Sequence, residues 1–319
     1  MSTSTAQLPS FGFYVDVFGF CNLRCPSCAV GNIADVREHF TKGVMSQELL
    51  DAILTKANRE CQIGFVGLFN WSEPLLHPNL PTLIRTVRDH GNPAWISSNL
   101  NRLPDPDALM AAAPDFFRVS LSGFRQGIYE IAHRRGNIEI VKRNMERLAA
   151  ARDRSNTTTL IEVLFHRYNY NRDDEAQVRS FSEALGFQFK AVWAMYMPVE
   201  KILSMVGDES GGVDTTAEDR AMVSTLSIDL REALALCRQD APGSCALLDC
   251  YIVLDVNGDV FLCCSTTSAP KNKIGPYLDM DIEEIQALKR RKTICHACMS
   301  HGIHHYFLNQ DAMSHIARY

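Results

Sequence analysis

The sequence is 319 residues long, 46% hydrophobic and 22% charged, which is the composition of a globular protein with room for one large domain and a small one. Its net charge of -5 argues against a nucleic-acid surface, which would be rich in lysine and arginine. The polar N-terminus lacks a signal peptide and no apolar run of about 18 residues predicts a membrane span, so we expect a cytoplasmic protein that does not bind membranes. In that reducing compartment, eleven cysteines indicate metal ligation or catalysis rather than disulfides.

Three cysteines follow the first predicted strand. Residues 11–20 are rich in aromatic and β-branched side chains and predict a buried strand, and Cys21, Cys25 and Cys28 come directly after it. Three thiolates so close in sequence can bind one soft metal centre. A structural zinc site or a fully ligated 4Fe-4S cluster takes four protein ligands, so three cysteines indicate a cluster with one open iron. A zinc knuckle that lacks its fourth ligand is the alternative.

Strands and helices then alternate along the chain, which predicts a parallel sheet. The end of each strand carries polar residues, and α/β barrels place their chemistry at this end. The further predicted strands are 63–69, 94–98, 116–121, 160–166 and 188–195, and the predicted helices are 46–60 with Ser46 as N-cap, 138–152 and 173–185.

The cysteine loop resembles the signature of the radical S-adenosylmethionine (radical SAM) family. This resemblance implies that the open iron is chelated by S-adenosylmethionine (SAM) and that the six repeats form the partial (β/α)6 TIM barrel of the family. It also implies an external one-electron donor, such as flavodoxin or ferredoxin. Ser27 stands where many members carry an aromatic residue, so adenine packing is expected from elsewhere in the chain.

Segments at the strand ends are similar to SAM-binding motifs of the family. Glu73-Pro74 is similar to the GGEP motif, although Trp71 and Ser72 replace the two glycines, and it implies that Glu73 holds the amino group of SAM. Which backbone groups take the glycine role stays open. The cofactor-binding candidates are Glu73, Ser98, Asn99, Ser120, Ser122, Arg134, Arg135 and His166.

Several of these candidates have a specific expected partner. Ser98 and Asn99 suit the ribose hydroxyls, and Ser122 takes the place of the acid in the S-x-D-G element of the family. Arg134 or Arg135 is expected to pair with the methionyl carboxylate, because a planar guanidinium suits two carboxylate oxygens. The sequence does not separate these two arginines.

The last third of the chain predicts a small α+β unit rich in cysteine. Residues 206–218 have the composition of a linker, so the expected domains are 1–205 and 206–319. A helix is predicted at 221–236. Beyond it, Asn257-Gly258 between two short apolar runs is a strong hairpin signal.

The cysteines of this unit resemble the shortened SPASM domain, or twitch domain, which binds an auxiliary 4Fe-4S cluster. The family pattern assigns four ligands, Cys245, Cys263, Cys295 and Cys298. A zinc ribbon is the alternative, although a ribbon usually has two C-x2-C pairs and only the distal pair has that spacing here. Cys250 and, less favoured, Cys264 are candidates for a thiol that gives a hydrogen atom to a substrate radical.

These features predict a radical SAM enzyme with two 4Fe-4S clusters that acts on a sugar-like small molecule, such as an aminoglycoside or a nucleoside of antibiotic biosynthesis. The 20 residues before Cys21 are too few for a folded peptide-recognition domain, which favours a small substrate. Epimerisation is expected ahead of alcohol oxidation with the auxiliary cluster as electron acceptor. A zinc-stabilised binding protein without catalytic activity is the alternative from another class.

Overall fold

One mixed sheet joins the strands of the computed structural model, which describes residues 8–239 and 241–319. Within these residues the strands are β1 Ser10–Val15, β2 Gln62–Gly67, β3 Ala94–Ser98, β4 Phe116–Leu121, β5 Leu160–Arg167, β6 Gln188–Trp193, β7 Tyr251–Leu254, β8 Asp259–Phe261 and β9 Lys273–Pro276. Their spatial order is β6-β5-β4-β3-β2-β1-β7-β8-β9. The neighbours from β1 to β6 all pair in parallel.

The helices connect these strands and cover the sheet. They are α1 Ala29–Asn32, α2 Val36–His39, α3 Gln47–Glu60, α4 Leu80–Asp89, α5 Pro106–Ala111, α6 Gln126–Ala132, α7 Ile138–Ser155, α8 Arg172–Ala184, α9 Val199–Met205, α10 Ala217–Val223, α11 Leu230–Gln239, α12 Ala246–Asp249, α13 Ile282–Arg290, α14 Thr293–Ser300 and α15 Ile303–Leu308. Helix α3 begins as predicted, because the Ser46 side chain accepts a hydrogen bond from the Leu49 N–H at 3.2 Å.

The predicted fold class is confirmed. Six successive strands with intervening helices form the parallel sheet of a partial TIM barrel, and their carboxyl ends lie along one edge. Strands β3 and β4 have the predicted bounds. None of the helices in the described residues is both long and apolar enough to cross a membrane.

Two predicted elements are wrong in extent. Strand β1 ends at Val15 rather than at residue 20, because the next residue, Asp16, turns its side chain to a neighbouring loop. The helix predicted at 221–236 is two helices, α10 and α11. Its apolar periodicity continues through the break, but the carbonyls of Thr225 and Ser227 accept hydrogen bonds from the Asn169 and Arg318 N–H groups instead of from the next helical turn.

The carboxyl-terminal strands extend the same sheet. Strand β7 pairs in parallel with β1, and β8 and β9 follow in antiparallel fashion. The predicted hairpin between β7 and β8 is confirmed, and Gly258 at its turn has a φ of 77°, a conformation that suits glycine. Strand β9 was not predicted.

Five aromatic side chains from neighbouring strands pack against one another on the concave side of the sheet. Phe65 stacks on Trp95 with ring centroids 4.3 Å apart, and Tyr14 meets Phe65 and Tyr251 edge-on at 5.4 and 5.3 Å. Phe116 lies against Trp95 at 5.1 Å. We call these five residues the aromatic floor.

Candidate metal and cofactor site

The three-cysteine loop lies at the carboxyl end of β1 and leads into α1. The Cys28 N–H donates to the Cys25 carbonyl at 3.0 Å, and the Gly31 N–H donates to the Cys28 carbonyl at 2.9 Å. A side chain at Gly31 would collide with the Cys25 carbonyl oxygen, so this position requires glycine. The sequence thus winds the three thiols tightly around the start of α1.

The chemistry of these thiols fits a cationic metal centre. Burial, reinforced by nearby negative charges, raises the pKa of Cys21 to about 12 and that of Cys28 to about 11, and burial with the other two thiolates raises the pKa of Cys25 well above its usual value. Only a strong positive charge would keep all three deprotonated. Two side chains already approach the sulfurs: the Asn99 amide donates to Cys21 Sγ at 3.8 Å, and His133 Nδ1 lies 3.8 Å from Cys25 Sγ.

The three thiols near α1 lie on one short loop. Among residues 8–239 and 241–319, no three His, Cys, Asp or Glu side chains are grouped closely enough to hold a single metal ion. In a 4Fe-4S cluster each cysteine binds a different iron, so three thiols on one loop are candidates for three irons of such a cluster.

Asp16 explains how the loop that follows β2 is held without the family glycines. Its carboxylate accepts hydrogen bonds from the N–H groups of Asn70, Trp71 and Ser72 at 3.1, 3.0 and 2.9 Å, and from the Ser72 hydroxyl at 2.6 Å. Burial raises the pKa of Asp16 to about 6, against these bonds, which lower it. The Trp71 indole N–H in turn donates to the Thr266 carbonyl at 2.9 Å.

Glu73 lies directly beyond this loop and is 3% exposed. Its two carboxylate oxygens accept from the Ser98 hydroxyl at 2.7 Å, the Asn99 N–H at 2.8 Å and the Leu75 N–H at 3.1 Å. Burial raises its pKa to about 7, and a bound ammonium group would lower that pKa again. The structure thus brings four of the sequence candidates together: Glu73, Ser98, Asn99 and Cys21.

A large cavity opens at the carboxyl ends of β4, β5 and β6. Its volume is about 610 Å³, which suits a cofactor together with a small substrate. Cys25, Cys28, Ser122 and His166 line it, so part of the predicted metal loop and part of the predicted cofactor set share one space. We call it the barrel cavity.

A chain of polar contacts crosses the wall of the barrel cavity, and the sequence did not predict it. His133 Nε2 lies 3.0 Å from Ser122 Oγ, which lies 3.3 Å from His166 Nδ1, while the other nitrogen of His133 faces Cys25. Burial lowers the pKa of His133 to about 3 and that of His166 to about 4, so both rings are neutral near pH 7. Because 108 residues separate Cys25 from His133, only the fold reveals this contact.

Neither arginine candidate is among the described residues that line the barrel cavity. The Arg134 side chain is 46% exposed and pairs with Glu218 at 2.5 Å. Arg135 is exposed and has a φ of 73°. Ser120, on the concave side of β4, is half-buried and is not among the described residues that line the barrel cavity.

Aromatic residues stand near the position where the loop lacks one. The Ser27 hydroxyl lies 3.1 Å from the Tyr168 hydroxyl, and Tyr168 stacks on Tyr170 with centroids 5.2 Å apart. Tyr168 lines the barrel cavity. This pair is the nearest replacement for the missing aromatic side chain and is a candidate surface for adenine.

The second set of cysteines lines a separate pocket. The four predicted ligands share this largely apolar space, which we call the four-cysteine pocket: Cys245, Cys263, Cys295 and Cys298. Burial raises the pKa of Cys295 to about 12 and that of Cys298 well above its usual value, and the neighbouring cysteines add to both shifts. Phe307 lines both this pocket and the barrel cavity.

Lys289 is a fully buried cation beside the four-cysteine pocket. It is 0% exposed, and its ammonium donates to the carbonyls of Leu248 and Tyr251 at 2.6 and 2.8 Å. Burial lowers its pKa to about 8, while Cys263, Cys295 and Cys264 act in the opposite direction. A buried cation of this kind fits an anionic centre bound by four thiolates.

The two candidate hydrogen donors lie elsewhere. Cys250 is exposed and precedes β7, at the amino end of a strand that runs parallel to β1. Cys264 is half-buried, and its charge would raise the pKa of Tyr14 in the aromatic floor. Neither thiol is among the described residues that line the barrel cavity.

The end of the chain closes the side of the barrel cavity next to β6. The Trp193 indole donates to the Ser314 hydroxyl at 3.0 Å, and the Tyr319 hydroxyl donates to Glu175 at 2.7 Å. Arg167 lies between the rings of Trp193 and Tyr319, 5.1 and 5.2 Å from their centroids. We call residues 307–319 the C-terminal strap.

Several solved structures share the fold of this chain. Streptococcus suis SuiB bound to precursor peptide SuiA has a TM-score of 0.58 at 9% identity, over 88% of this chain and 65% of that chain. Native anSMEcpe with bound AdoMet has a TM-score of 0.55 at 16% identity, over 90% and 82%. BtrN in complex with AdoMet and 2-DOIA has a TM-score of 0.52 at 13% identity, over 98% and 93%. At these identities the likeness shows the fold alone.

The sequence comparisons add a family. No curated protein matches this sequence significantly. The family model of the radical SAM superfamily matches residues 15–176, just over half of the chain, and the match contains the three-cysteine loop and the strands that carry Glu73, Ser98 and His166. The chain therefore belongs to the radical SAM superfamily, whose enzymes use a 4Fe-4S cluster and SAM.

Proposed function

We propose that this radical SAM enzyme oxidises an alcohol of a sugar-like small molecule bound in the barrel cavity. The observation that carries the proposal is Phe307, whose side chain lines both the barrel cavity and the four-cysteine pocket. A substrate in the cavity would then be one side chain away from a second cluster, and this proximity favours electron transfer.

The ligand sets follow the sequence prediction. Cys21, Cys25 and Cys28 would hold the first 4Fe-4S cluster, and the cysteines of the four-cysteine pocket would hold an auxiliary one in a twitch-like domain, residues 206–319. The barrel domain would comprise residues 1–205. A small electron-transfer protein such as flavodoxin or ferredoxin would reduce the first cluster.

The chemistry divides between the cofactors and the chain. When bound, the first cluster and SAM supply a 5′-deoxyadenosyl radical that removes a hydrogen atom from a substrate C–H bond, and the auxiliary cluster supplies a one-electron acceptor. Glu73 would hold the SAM amino group, and Tyr168 would pack against the adenine. His166 lines the cavity and would hydrogen-bond the substrate hydroxyl, whose proton would pass to solvent as the C=O bond forms.

One experiment tests the proposal directly. After anaerobic reconstitution the protein should bind about eight iron atoms, two clusters of four, and form 5′-deoxyadenosine when reduced in the presence of SAM. A deuterated metabolite pool should transfer deuterium into 5′-deoxyadenosine, with one ketone formed per SAM consumed. Zinc without iron and no nucleoside product would instead support a zinc-stabilised binding protein.

Epimerisation is the second candidate, and one observation favours it. Cys264 follows β8, which pairs with β7, and β7 begins at Tyr251 of the aromatic floor. Hydrogen donation from the Cys264 thiol would require re-reduction by one electron and one proton from the external donor. Solvent deuterium at one inverted carbon, lost in Cys264→Ala and kept in Cys250→Ala, would establish epimerisation; loss in Cys250→Ala alone would assign the donor to Cys250.

A further inference from the structure

Two basic side chains face the barrel cavity from the strands that build it. Arg118 is on β4 and Lys190 is on β6, and both line the cavity together with Leu164 of β5. In the sheet register Leu164 pairs with Ser120 on one side and with Lys190 on the other, and Arg118 is two residues before Ser120 on the same face of β4. The two basic side chains therefore lie on one wall, just above the aromatic floor.

Arg118 uses only part of its hydrogen-bonding capacity. Its Nε donates to Glu162 at 2.9 Å, and its guanidinium lies 5.2 Å from the Phe116 ring centroid. Within the described part of the chain, its two terminal nitrogens have no hydrogen-bond acceptor, and 29% of the side chain is exposed to the cavity and solvent. A guanidinium fixed at Nε with free terminal nitrogens is oriented for a planar anion.

Arg167 is a third basic residue that lines the cavity, and it differs from Lys190 in its ion pairing. No carboxylate in residues 8–239 or 241–319 lies within ion-pair distance of Lys190, which is exposed. Arg167, in contrast, is already paired through Nε and one terminal nitrogen with Glu175, both at 2.8 Å. Arg167 therefore supports the wall, while Lys190 retains its charge for a ligand.

The charges at this wall are not all paired. Glu162 pairs with Arg118 and Glu175 pairs with Arg167, whereas Lys190 has no ion-pair partner among the residues that the structure describes. The cavity also has an acidic lining residue, Asp311, which is on the C-terminal strap rather than on the strands. Arg134 pairs with Glu218 and is not among the described residues that line the cavity, whereas Arg118 lines the cavity and keeps its two terminal nitrogens for a ligand.

We infer that Arg118 and Lys190 form a subsite for an anionic group of the substrate, a carboxylate or a phosphate. The substrate would then be an acidic or phosphorylated sugar-like molecule, and a polycationic aminoglycoside would be repelled at this wall. This inference rests on the proposed function, since it assigns the substrate class of that same cavity.

Binding of simple sugars to the reconstituted, SAM-bound protein tests the subsite by calorimetry. The probes are glucose 6-phosphate and glucuronate, with glucose as the neutral control and glucosamine as the cationic one. Both anionic probes, or one of them, should bind about tenfold or more tightly than glucose, because hydrogen bonds to charged groups are the stronger ones. The tighter of the two identifies the anion as phosphate or carboxylate.

Variants locate the binding. Arg118→Gln and Lys190→Gln should each weaken the anionic probe about tenfold and leave glucose unchanged, and Lys190→Glu, at an exposed position, should abolish its preference over glucose. Arg154→Gln, on α7 and paired with Asp107, is the matched control and should change nothing.

Three results would overturn the inference: equal binding of glucose or glucosamine, unchanged anion binding in the variants, or a loss of SAM affinity in Arg118→Gln without a loss of anion affinity. The 5′-deoxyadenosine assay is independent of these measurements. If it fails while anionic sugars bind as expected, the proposed oxidation fails and the anionic subsite stands.

Discussion

The two cysteine regions are built with opposite charges around them. The three-cysteine loop is flanked by two buried carboxyl groups, Asp16 and Glu73, whose pKa values burial raises to about 6 and about 7. The four-cysteine pocket is flanked by a buried ammonium, Lys289, whose pKa burial lowers to about 8. Both regions are destabilised without a ligand, because each buries a group that would be charged in water.

This difference matches the ligands that we propose. SAM carries an ammonium and a sulfonium, so a site with carboxyl groups suits it, and one iron without a cysteine leaves room for it. A cluster with four thiolates carries net negative charge, so a buried lysine suits it. The surrounding charges, as well as the cysteine count, would therefore distinguish a cluster with an open iron from a cluster with four cysteine ligands.

Removing one cysteine from each region should have the largest and most different effects on iron content and on 5′-deoxyadenosine formation. Cys25→Ser should lower 5′-deoxyadenosine formation by more than about a hundredfold, because even changes beyond the ligands often reduce metal-site activity tenfold to hundredfold. Cys298→Ser should lose about four iron atoms and keep 5′-deoxyadenosine formation. Iron analysis and chromatography of the nucleoside measure both. Equal effects of the two substitutions would mean that the regions do not hold separate centres.

His133→Phe should affect only the first region. The contact between His133 and Cys25 would be lost, and we expect a tenfold to hundredfold drop in SAM cleavage together with a shift in the potential of the first cluster. Potentiometric titration followed by electron paramagnetic resonance reads the potential. His90→Asn, at a partly exposed position on the outer side of the barrel where His90 pairs with Asp51, is the control. A purely structural role for His133 would reduce the iron content and leave the potential unchanged.

Lys289→Met should affect only the second region. Loss of a buried positive charge disfavours the reduced, more negative cluster, so its potential should fall by on the order of tens of millivolts. The same titration, applied to both clusters of one sample, supplies the comparison. An unchanged potential with full iron content would show that Lys289 does not act on the cluster.

The pH dependence of the metal-free protein should have opposite signs in the two regions. The folded-state pKa of Glu73 is about 7, above its ordinary value of 4.5. The protonated carboxyl of Glu73 therefore contributes to the free energy of unfolding. This contribution is fully present below pH 4.5 and is lost as the pH rises to about 7. The loss is about 3 kcal/mol at 1.4 kcal/mol per pKa unit. The pKa of Lys289 is lowered from 10.5 to about 8. This buried lysine should therefore make the protein more stable as the pH rises from about 8 to 10.5.

Urea denaturation under anaerobic, reducing conditions measures these two effects. Glu73→Gln should remove the decrease between pH 4.5 and 7, and Lys289→Met should remove the increase above pH 8. A decrease that persists in Glu73→Gln would assign the pH dependence to other groups, with Asp16 the first of them.

Local patterns predicted the sheet well. Strands β3 and β4 could be delimited from short apolar runs, because turn residues bound each run on both sides. The helix predicted at 221–236 failed because its apolar periodicity continues across a break that contacts from Asn169 and Arg318 create. Apolar periodicity indicates which side of a helix is buried. It does not indicate where a distant residue ends the helix by donating a hydrogen bond to one of its carbonyls.

The candidate site also combines local motifs, which the sequence predicts, with contacts between distant residues, which it does not. Cys21, Cys25 and Cys28 and the Glu73-Pro74 pair could be named as candidates from the sequence, because each is a short local motif. The contacts of His133 with Cys25, of Asp16 with the loop at 70–72 and of Lys289 with two carbonyls join residues 38 to 108 positions apart. No spacing rule covers contacts of that range, and a buried lysine on α13 has the same pattern as an exposed one.

The Asp16 carboxylate has a consequence for how such chains are recognised. A glycine pair gives a loop freedom of conformation, whereas here one acid at the end of β1 fixes three successive N–H groups of residues that are not glycine. A loop held by Asp16 does not depend on glycine for its conformation. A search pattern written as "acid after the first strand, then any three residues before Glu-Pro" would retrieve chains that a glycine-based pattern passes over.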